Sequence, residues 1–289
     1  MEPVVSEKAN NLSIEGQANF RLESIMECGQ CFRWEANGTD DYTGIVKDKV
    51  IRIIQREDKI TVKGCTADEF RGFWHGYFDL GTDYAGIINE LSQDDPVMKM
   101  ATAFAPGLRI LKQPLFETLI SFIISANNSI PNIKSVIRKL SKMYGNKITF
   151  NDKVFYTFPA PETLAEADPA EIMFSKAGYR SKYIWKTAFD FSNDPITVEQ
   201  LKNLGYEGAK NKLMEYCGVG AKVADCTLLF CGAYTNAFPV DVWVKKVMEE
   251  LYFKKETQLR QISGYAKDKF GELGGYAQQY LFYYARSNL

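Results

Sequence analysis

Lys222 and Asp241 are the two residues whose types and placement could perform a reaction together. Lys222 lies in the first turn of a predicted helix, where the helix dipole disfavours the ammonium ion and promotes a neutral, nucleophilic amine. Asp241 precedes another predicted helix as its N-cap, and a capping carboxylate that faces a cleft also stabilises developing positive charge. The pair suits cleavage of a glycosidic bond, because the carboxylate favours an oxocarbenium-like sugar and the amine captures its C1′ as a Schiff base. The alternatives are a solvated surface lysine and an ordinary helix cap.

Two glycines form a tight turn directly before this lysine, in Cys217-Gly218-Val219-Gly220. Helical spacing on both sides of the turn predicts a helix-hairpin-helix unit. Glycine permits positive φ and a close approach of the backbone to a ligand. The free N–H groups at the start of the second helix bind anions without any side chain, and a DNA phosphate is the natural partner. Because two glycines are weak evidence alone, an ordinary helix–helix turn stays the alternative.

Composition excludes several classes of protein and of site. The chain has 289 residues, of which 46% are hydrophobic, and its net charge of -1 excludes a histone-like protein that binds nucleic acid by bulk charge. A single histidine, His75, excludes a zinc site built from several histidines. The cysteines are too sparse for a disulfide scaffold, and Cys28 and Cys31 lack the second pair that a zinc site needs. We therefore expect no metal site, no cofactor, and packing roles for both thiols.

The elements that must position these residues change character along the chain. From Gln30 to Lys63, short β-branched and aromatic runs, beginning with Phe32-Arg33-Trp34, alternate with polar turns such as Asn37-Gly38, which predicts an antiparallel meander. After Gly64, apolar residues recur at helical spacing between frequent prolines and glycines. The expected fold class is α+β. A small N-terminal antiparallel β-sheet domain with trailing helices, residues 1–105, precedes a larger all-helical body, residues 106–289, which contains the helix-hairpin-helix motif.

Charge distribution and the N-terminus bear on partners and location. Between Gly107 and Lys153, basic residues far outnumber acidic ones, which fits either a solvated helix face or a local phosphate-binding surface. Residues 1–11 lack the basic start and apolar core of a signal peptide, and no apolar run reaches membrane length. We expect a soluble, intracellular monomer without membrane contact, located in the cytoplasm at the nucleoid if the source is prokaryotic.

Several separated motifs occur in one order along nearly the whole chain. They are Cys28-Gly29-Gln30-Cys31-Phe32-Arg33-Trp34, Tyr77-Phe78-Asp79-Leu80, Ser121-Phe122-Ile123, Ala126-Asn127-Asn128, Gly178-Tyr179-Arg180, Gly218 to Cys226, Pro239-Val240-Asp241, and Gly275-Tyr276-Ala277-Gln278 with Leu281-Phe282. Together they resemble the HhH-GPD superfamily of DNA glycosylases, and within it the 8-oxoguanine DNA glycosylase/AP lyase family. An ordered set of motifs is far more specific than any single one.

The resemblance implies a base-excision-repair enzyme that flips 8-oxoguanine out of duplex DNA, releases it with Lys222 and Asp241, and cleaves the strand by β-elimination through a lysine Schiff base. The base pocket that it implies consists of Gly29, Cys226, Phe230, Gln278 and Phe282. Guanine N7 accepts a hydrogen bond, whereas 8-oxoguanine carries a donor there, so the Gly29 carbonyl would favour the damaged base. Gln278 would bind the Watson–Crick edge of the base, and Phe282 would stack on its face.

The resemblance also implies contacts to DNA and to the base left unpaired. The expected residues are Asn127, Asn132, Tyr179, Arg180, Gly218, Gly220 and Trp243. Three positions depart from the family pattern, since Asn132 replaces an arginine that helps to recognise the opposite cytosine, Trp243 replaces a histidine, and Phe230 replaces a methionine. Asn132 lacks the charged fork of arginine donors, which predicts relaxed selectivity for the opposite base. The hairpin of the family often holds a monovalent cation through backbone carbonyls.

Two other functions fit parts of the sequence. A helix-hairpin-helix protein can grip DNA phosphates without chemistry, although such a protein needs neither Lys222 with Asp241 nor a base pocket. A glycosylase for adenine or for an alkylated base also fits the superfamily. The sequence lacks the iron–sulfur cysteines of the adenine and oxidised-pyrimidine branches, and Gly29 with Gln278 favours oxidised guanine.

Overall fold

A computed structural model describes the backbone of residues 4–8, 11–17 and 19–289, and the side chains of residues 11–17 and 19–289. The prediction that residues 1–11 form no signal peptide concerns a segment that lies partly outside this range. Among the described residues, no helix is both long enough and apolar enough to cross a membrane. An antiparallel sheet precedes a helical body, so the predicted α+β fold class is confirmed.

Antiparallel strands form the N-terminal sheet. They are β1 (Val4–Lys8), β2 (Asn11–Glu15), β3 (Trp34–Gly38), β4 (Asp41–Val46), β5 (Lys49–Arg56) and β6 (Lys59–Lys63). Their order in the sheet is β1-β2-β6-β5-β4-β3. Leu12 and Ile14 of β2 point into the core under the sheet. The strands β1 and β2 were not predicted. The alternation of buried and more exposed residues in β2 covers only five residues, and this strand lies apart from the predicted meander.

The first hairpin of the meander differs from its prediction. The run Phe32-Arg33-Trp34 enters the sheet only at Trp34. Asn37-Gly38, predicted as a turn, belongs to β3, and the turn falls at Thr39-Asp40. Asn37 Nδ2 donates hydrogen bonds to Asp41 Oδ1 at 3.0 Å and to Thr43 Oγ1 at 2.9 Å. These bonds tie Asn37 to the neighbouring strand and explain why the pairing extends beyond the predicted turn.

Helices make up most of the remaining chain. They are α1 (Leu22–Glu27), α2 (Ala67–Glu69), α3 (His75–Tyr77), α4 (Tyr84–Ser92), α5 (Pro96–Phe104), α6 (Leu115–Ser125), α7 (Ile130–Tyr144), α8 (Pro161–Glu166), α9 (Pro169–Ile172), α10 (Arg180–Asn193), α11 (Val198–Asn203), α12 (Gly205–Met214), α13 (Ala221–Phe230), α14 (Val242–Val247), α15 (Leu259–Phe270) and α16 (Gly274–Asn288). Phe70–Trp74 and Met248–Phe253 are π-helical, and Met173–Ser175 and Gly271–Leu273 are 3₁₀-helical.

A β-hairpin interrupts the body that was predicted to be all helical. Strand β7 (Lys147–Phe150) pairs with β8 (Lys153–Tyr156). The two residues between them, Asn151 and Asp152, have φ values of 48° and 60°. Positive φ at both central residues characterises the type I′ turn, whose twist matches that of two paired strands. The prediction of an all-helical body was therefore wrong at this hairpin.

Two hydrophobic cores lie in the described part of the chain, one under the sheet around Trp34 and Trp74, the other among the helices. Cys28 and Phe32 pack in the helical core although they precede β3. The segment that carries Gly29 is thus built into the helical body. Within that body, α13, which carries Lys222, packs against α6, and α14, which Asp241 caps, packs against α16. The boundary between residues 105 and 106 stays a prediction.

Candidate active site

The predicted helix-hairpin-helix consists of α12, the turn that follows it, and α13. Gly218 has a φ of +81°, and a Cβ atom there would lie 2.7 Å from Tyr183 Cδ2, so the turn requires glycine. Thr187 Oγ1 fixes the turn by donating to the carbonyl of Cys217 at 2.9 Å. Gly220 caps α13 without a side chain, and no heavy atom lies within 4 Å of the place its Cβ would take. The space at the start of α13 is therefore open, and binding of an anion there stays a prediction.

Lys222 lies half-buried in the first turn of α13. Its Nζ donates to Ser125 Oγ at 3.2 Å and lies 5.1 Å from the centroid of the Phe122 ring. Ser125 Oγ donates in turn to the carbonyl of Phe122 at 2.8 Å, which turns its lone pairs toward the amine. No carboxylate among the described residues lies within the 4.0 Å of an ion pair with Nζ. The amine is held in place without a salt bridge.

Ser125 and Phe122 contact the amine but were not among the predicted site residues. Both lie on α6, directly before the matched segment Ala126-Asn127-Asn128. The sequence signal that could have identified Ser125 was a hydroxyl at the end of an otherwise apolar helix face. Spacing along the sequence could not show it, because Ser125 and Lys222 are 97 residues apart.

Asp241 is the N-cap of α14, as predicted. Its Oδ1 accepts hydrogen bonds from the backbone N–H groups of Trp243 at 3.0 Å and Val244 at 2.8 Å. Burial raises the pKa of Asp241 above the usual value, while the Val244 N–H and the charge of Lys222 act in the opposite direction. Because the cap bonds use one oxygen, the second carboxylate oxygen is not needed for the helix.

The predicted base pocket brings together residues from both ends of the chain. Gly29 has a φ of +84°, and a Cβ atom there would lie 3.0 Å from Cε1 of Phe282. Gln278 lies one turn before Phe282 on α16 and is 4% exposed. Its Oε1 is buried and has no hydrogen-bond partner among the described residues. A buried, unpaired acceptor is costly, so this oxygen is available to a ligand.

Two further predicted pocket residues lie on α13 after Lys222, namely Cys226 and Phe230. Burial raises the pKa of Cys226 to about 11, while the charge of Lys222 lowers it, so the thiol is protonated at neutral pH. Phe230 is buried and stacks on Phe122, with ring centroids 5.2 Å apart and planes 13° from parallel. Phe122 therefore contacts both Phe230 and the amine. Contact of either pocket residue with a base stays a prediction.

The predicted DNA-contacting loop around Asn127 is held by an arginine. Asn127 is exposed with a φ of 50°. Arg180, only 9% exposed, donates from Nε to the carbonyl of Ala126 at 3.2 Å and from Nη2 to that of Asn127 at 3.2 Å. Its guanidinium also lies 4.4 Å from the ring of Tyr179, which is 60% exposed and packs edge-on against Tyr183. Arg180 thus supports two exposed residues, and its own contact with DNA stays a prediction.

The two remaining predicted contacts lie at helix starts. Asn132 is exposed in the first turn of α7 and donates to Asn128 Oδ1 at 2.8 Å. Trp243 is half-buried in the first turn of α14 and packs on the helical core. Their contacts with DNA stay predictions.

The cysteine pair is built into the protein interior. Cys28 and Cys31 are buried free thiols, and burial raises the pKa of Cys28 to about 11. Cys28 Sγ donates to the carbonyl of Ile25 at 3.2 Å. In the described part of the chain, no group of three or more His, Cys, Asp or Glu side chains is arranged to hold a metal ion.

Comparison with known families matches most of the chain. Residues 13–119 match the N-terminal domain of 8-oxoguanine DNA glycosylase. Residues 120–270 match the HhH-GPD superfamily of base excision DNA repair proteins. The two matches adjoin one another and include every predicted site residue except those on α16.

Individual proteins match over similar lengths. The N-glycosylase/DNA lyase of Saccharomyces cerevisiae is 32% identical over 86% of this chain and 72% of its own length. The N-glycosylase/DNA lyase OGG1 of Arabidopsis thaliana is 26% identical over 88% of this chain and 74% of its own. A solved structure of Clostridium acetobutylicum 8-oxoguanine glycosylase/lyase with double-stranded DNA superimposes with a TM-score of 0.94, at 40% identity over 99% of this chain and 98% of that one. This chain therefore belongs to the 8-oxoguanine DNA glycosylase family of the HhH-GPD superfamily of base excision DNA repair proteins.

Proposed function

We propose that this chain is a bifunctional DNA glycosylase and AP lyase that excises 8-oxoguanine from duplex DNA. The observation that carries the proposal is the Lys222 amine, held by Ser125 without an ion pair and close enough to Asp241 for the two charges to interact. The names of the Saccharomyces and Arabidopsis relatives include both activities. The Clostridium relative was solved with DNA that contains cytosine opposite 8-oxoguanine, which supports the same substrate.

Lys222 and Asp241 divide the chemistry between them. The neutral amine attacks C1′ as the glycosidic bond breaks, and the departing base takes the bonding electrons and a proton. Asp241 stabilises the positive charge that develops on the sugar. The amine loses a proton, the sugar ring opens, and a Schiff base forms between Nζ and C1′. Loss of a C2′ proton then expels the 3′ phosphate by β-elimination, and hydrolysis releases the lysine.

The pocket supplies the selectivity for the damaged base. The Gly29 carbonyl accepts a hydrogen bond from the N7–H of 8-oxoguanine and repels the N7 lone pair of guanine. The unpaired Oε1 of Gln278 accepts from the Watson–Crick edge, and the Phe282 ring stacks on the base. Cys226, protonated beside the amine, lies against the opposite face.

The exposed elements around the amine bind the DNA. The open start of α13 at Gly220 binds a backbone phosphate, while Asn127 fills the gap that the flipped base leaves and Tyr179 wedges beside the base opposite it. Asn132 donates a hydrogen bond to Asn128, just before its helix, and offers no charged donor fork, so we propose weak selectivity for the opposite base. Trp243 contacts a phosphate near Asp241.

Assembly, location and the hairpin cation complete the proposal. This chain supplies every proposed site residue, so we propose an intracellular monomer that acts on DNA, at the nucleoid of the cytoplasm if the source is prokaryotic. A monovalent cation at the hairpin would bind backbone carbonyls, of which that of Cys217 already accepts a hydrogen bond from Thr187. No catalytic step depends on this cation.

Borohydride trapping on a duplex with 8-oxoguanine opposite cytosine tests the proposed function. Borohydride reduces the Schiff base to a stable amine, so a covalent protein–DNA band should need both the lesion and Lys222. Lys222→Gln should bind the duplex and form no band, while Lys267→Gln, which alters an exposed lysine far along the chain, should react like the unaltered protein.

Two other results would contradict the proposal. Binding without release of the base would indicate a DNA-binding module without chemistry. A band only with adenine mispairs or alkylated bases would indicate a glycosylase for another lesion.

A further inference from the structure

The carbonyls that precede Gly29 are bound by side chains of the last helix. Gln279 Nε2 donates to the carbonyl of Cys28 at 2.9 Å, and Arg286 Nη2 donates to the carbonyl of Glu27. The Gln279 side chain is 1% exposed, so its bond lies in the interior. In the part of the chain that the structure describes, the carbonyl of Gly29 itself accepts no hydrogen bond. The carbonyls of Glu27 and Cys28 are thus fixed by hydrogen bonds. The carbonyl of Gly29, which is proposed to read the damaged base, is left available.

The chain after Gly29 is fixed from the opposite side. Gln113 Nε2 donates to the carbonyl of Gln30 at 2.8 Å. The Gln30 side chain is fully buried, donates to the carbonyl of Arg109 at 2.7 Å, and accepts from the N–H of Leu111 at 2.8 Å. Gly29 therefore lies between two anchored peptide groups, and only a small rotation of its own peptide remains free.

Different side chains of α16 line the base pocket and contact the loop that carries Gly29. Gln278 and Phe282 line the pocket, whereas Gln279 and Arg286, two turns apart, reach the loop. The Arg286 guanidinium lies 5.6 Å from the Phe282 ring. Its Nη1 is buried without a hydrogen-bond partner among the described residues, 2.9 Å from the place that a Cβ on Gly29 would take.

We propose that Gln279 and Arg286 are positioning residues that hold the Gly29 carbonyl where it reads the N7–H donor of 8-oxoguanine. The proposal rests on the proposed function. At N7, 8-oxoguanine carries a hydrogen that guanine lacks. The energy of a hydrogen bond at this position depends steeply on distance and angle. A carbonyl that could rotate away would lose the bond to the damaged base and the repulsion of guanine together. Neither residue touches the reacting atoms.

Two activities, measured on duplexes that differ only in carrying 8-oxoguanine or an abasic site, separate this role from general stability. Single-turnover release of 8-oxoguanine needs the reading carbonyl, whereas β-elimination at a preformed abasic site has no base to read. For Gln279→Met and for Arg286→Met, release should slow about tenfold, the equivalent of one well-placed hydrogen bond. Abasic-site cleavage should stay within about twofold of the unaltered protein. Arg286→Lys keeps a donor and should restore most of the release rate.

The matched control is Ser287→Ala, which changes an exposed residue of the same helix and should alter neither rate. Unchanged release in both methionine variants would overturn the proposal. A parallel fall of release and abasic-site cleavage would overturn it as well, because that pattern indicates a structural role only. If the unaltered protein cleaved abasic DNA but released no 8-oxoguanine, the proposed function itself would fail, and the two failures are thereby distinguishable.

Discussion

A hydroxyl, an aromatic ring and a helix start surround the amine of Lys222, the nucleophile of the proposed reaction. Ser125 fixes where the nitrogen lies, and the ring of Phe122 lies beside it. Asp241 caps α14 with one carboxylate oxygen. In the proposed reaction, this carboxylate stabilises charge on the sugar.

The pH dependence of catalysis should reveal the carboxylate of Asp241. Burial raises its pKa, so it takes up a proton at a higher pH than an exposed aspartate with its pKa of about 3.9. Protonation removes the charge that stabilises the sugar cation. The rate of the unaltered protein relative to Asp241→Asn should therefore be large at neutral pH and fall toward one as the pH decreases through the raised pKa.

Asparagine is the appropriate comparison because it also caps helices well. Single-turnover release at pH values from about 7 to about 4.5 would measure the ratio. A ratio that did not change over this range would show that the charge of Asp241 has no part in base release.

At the scale of elements, the hairpin uses its two glycines for different purposes. The fold itself requires glycine at Gly218, because φ is positive there and a Cβ atom would contact the ring of Tyr183. Gly220 has an ordinary φ of −95° and open space where a Cβ would be. Nothing in the described part of the protein requires glycine there, which fits the proposed approach of a DNA phosphate to the start of α13.

Alanine at each glycine should separate stability from DNA binding. Gly218→Ala should cost about 2 kcal/mol of unfolding free energy, from strain at positive φ and the contact with Tyr183. Gly220→Ala should change that free energy by less than about 0.5 kcal/mol and still weaken duplex binding about tenfold, because the methyl group occupies the space of a phosphate.

Denaturant unfolding and fluorescence anisotropy with a labelled duplex would measure the two effects. Equal affinity for DNA in Gly220→Ala and the unaltered protein would contradict a phosphate at this position.

The sequence predicted those elements whose signals are local. The hairpin between α12 and α13, the cap at Asp241 and the meander all depend on residues close together in the chain. The hairpin of β7 and β8 was missed because its signal is only Asn151-Asp152 between two short strands. Pairing of β2 with β6 and contact of Ser125 with Lys222 join distant segments, and no spacing within one sequence encodes such contacts.

At the scale of the whole molecule, one buried side chain joins the segment between β2 and β3 to the segment that leads into α6. Gln30 binds the carbonyl of Arg109 and the N–H of Leu111, and also donates to the carbonyl of Ile25 at 2.9 Å. Because Leu111 packs in the core under the sheet while Cys28 packs among the helices, these bonds lie where the two cores meet.

Replacement of this glutamine should destabilise the whole protein. Gln30→Leu removes the hydrogen bonds to the carbonyls of Arg109 and Ile25 and leaves the N–H of Leu111 without its acceptor, which should cost about 3 kcal/mol of unfolding free energy. The exposed Gln93→Leu should change it by less than about 0.5 kcal/mol. Urea unfolding followed by tryptophan fluorescence and by circular dichroism would measure both. Separate transitions from the two probes in the unaltered protein would show that Gln30 does not couple the cores. An unfolding free energy of Gln30→Leu equal to that of the unaltered protein would show the same.

The contact of the loop at Gly29 with α16 spans most of the chain, since Arg286 and Glu27 are 259 residues apart. During synthesis, Lys222 and Asp241 leave the ribosome before the helix that completes the base pocket. A polypeptide that ends before α16 would therefore carry the proposed nucleophile without Gln278 and Phe282, the residues of α16 that are proposed to bind the base. The order of translation thus places the proposed recognition residues after the proposed catalytic ones.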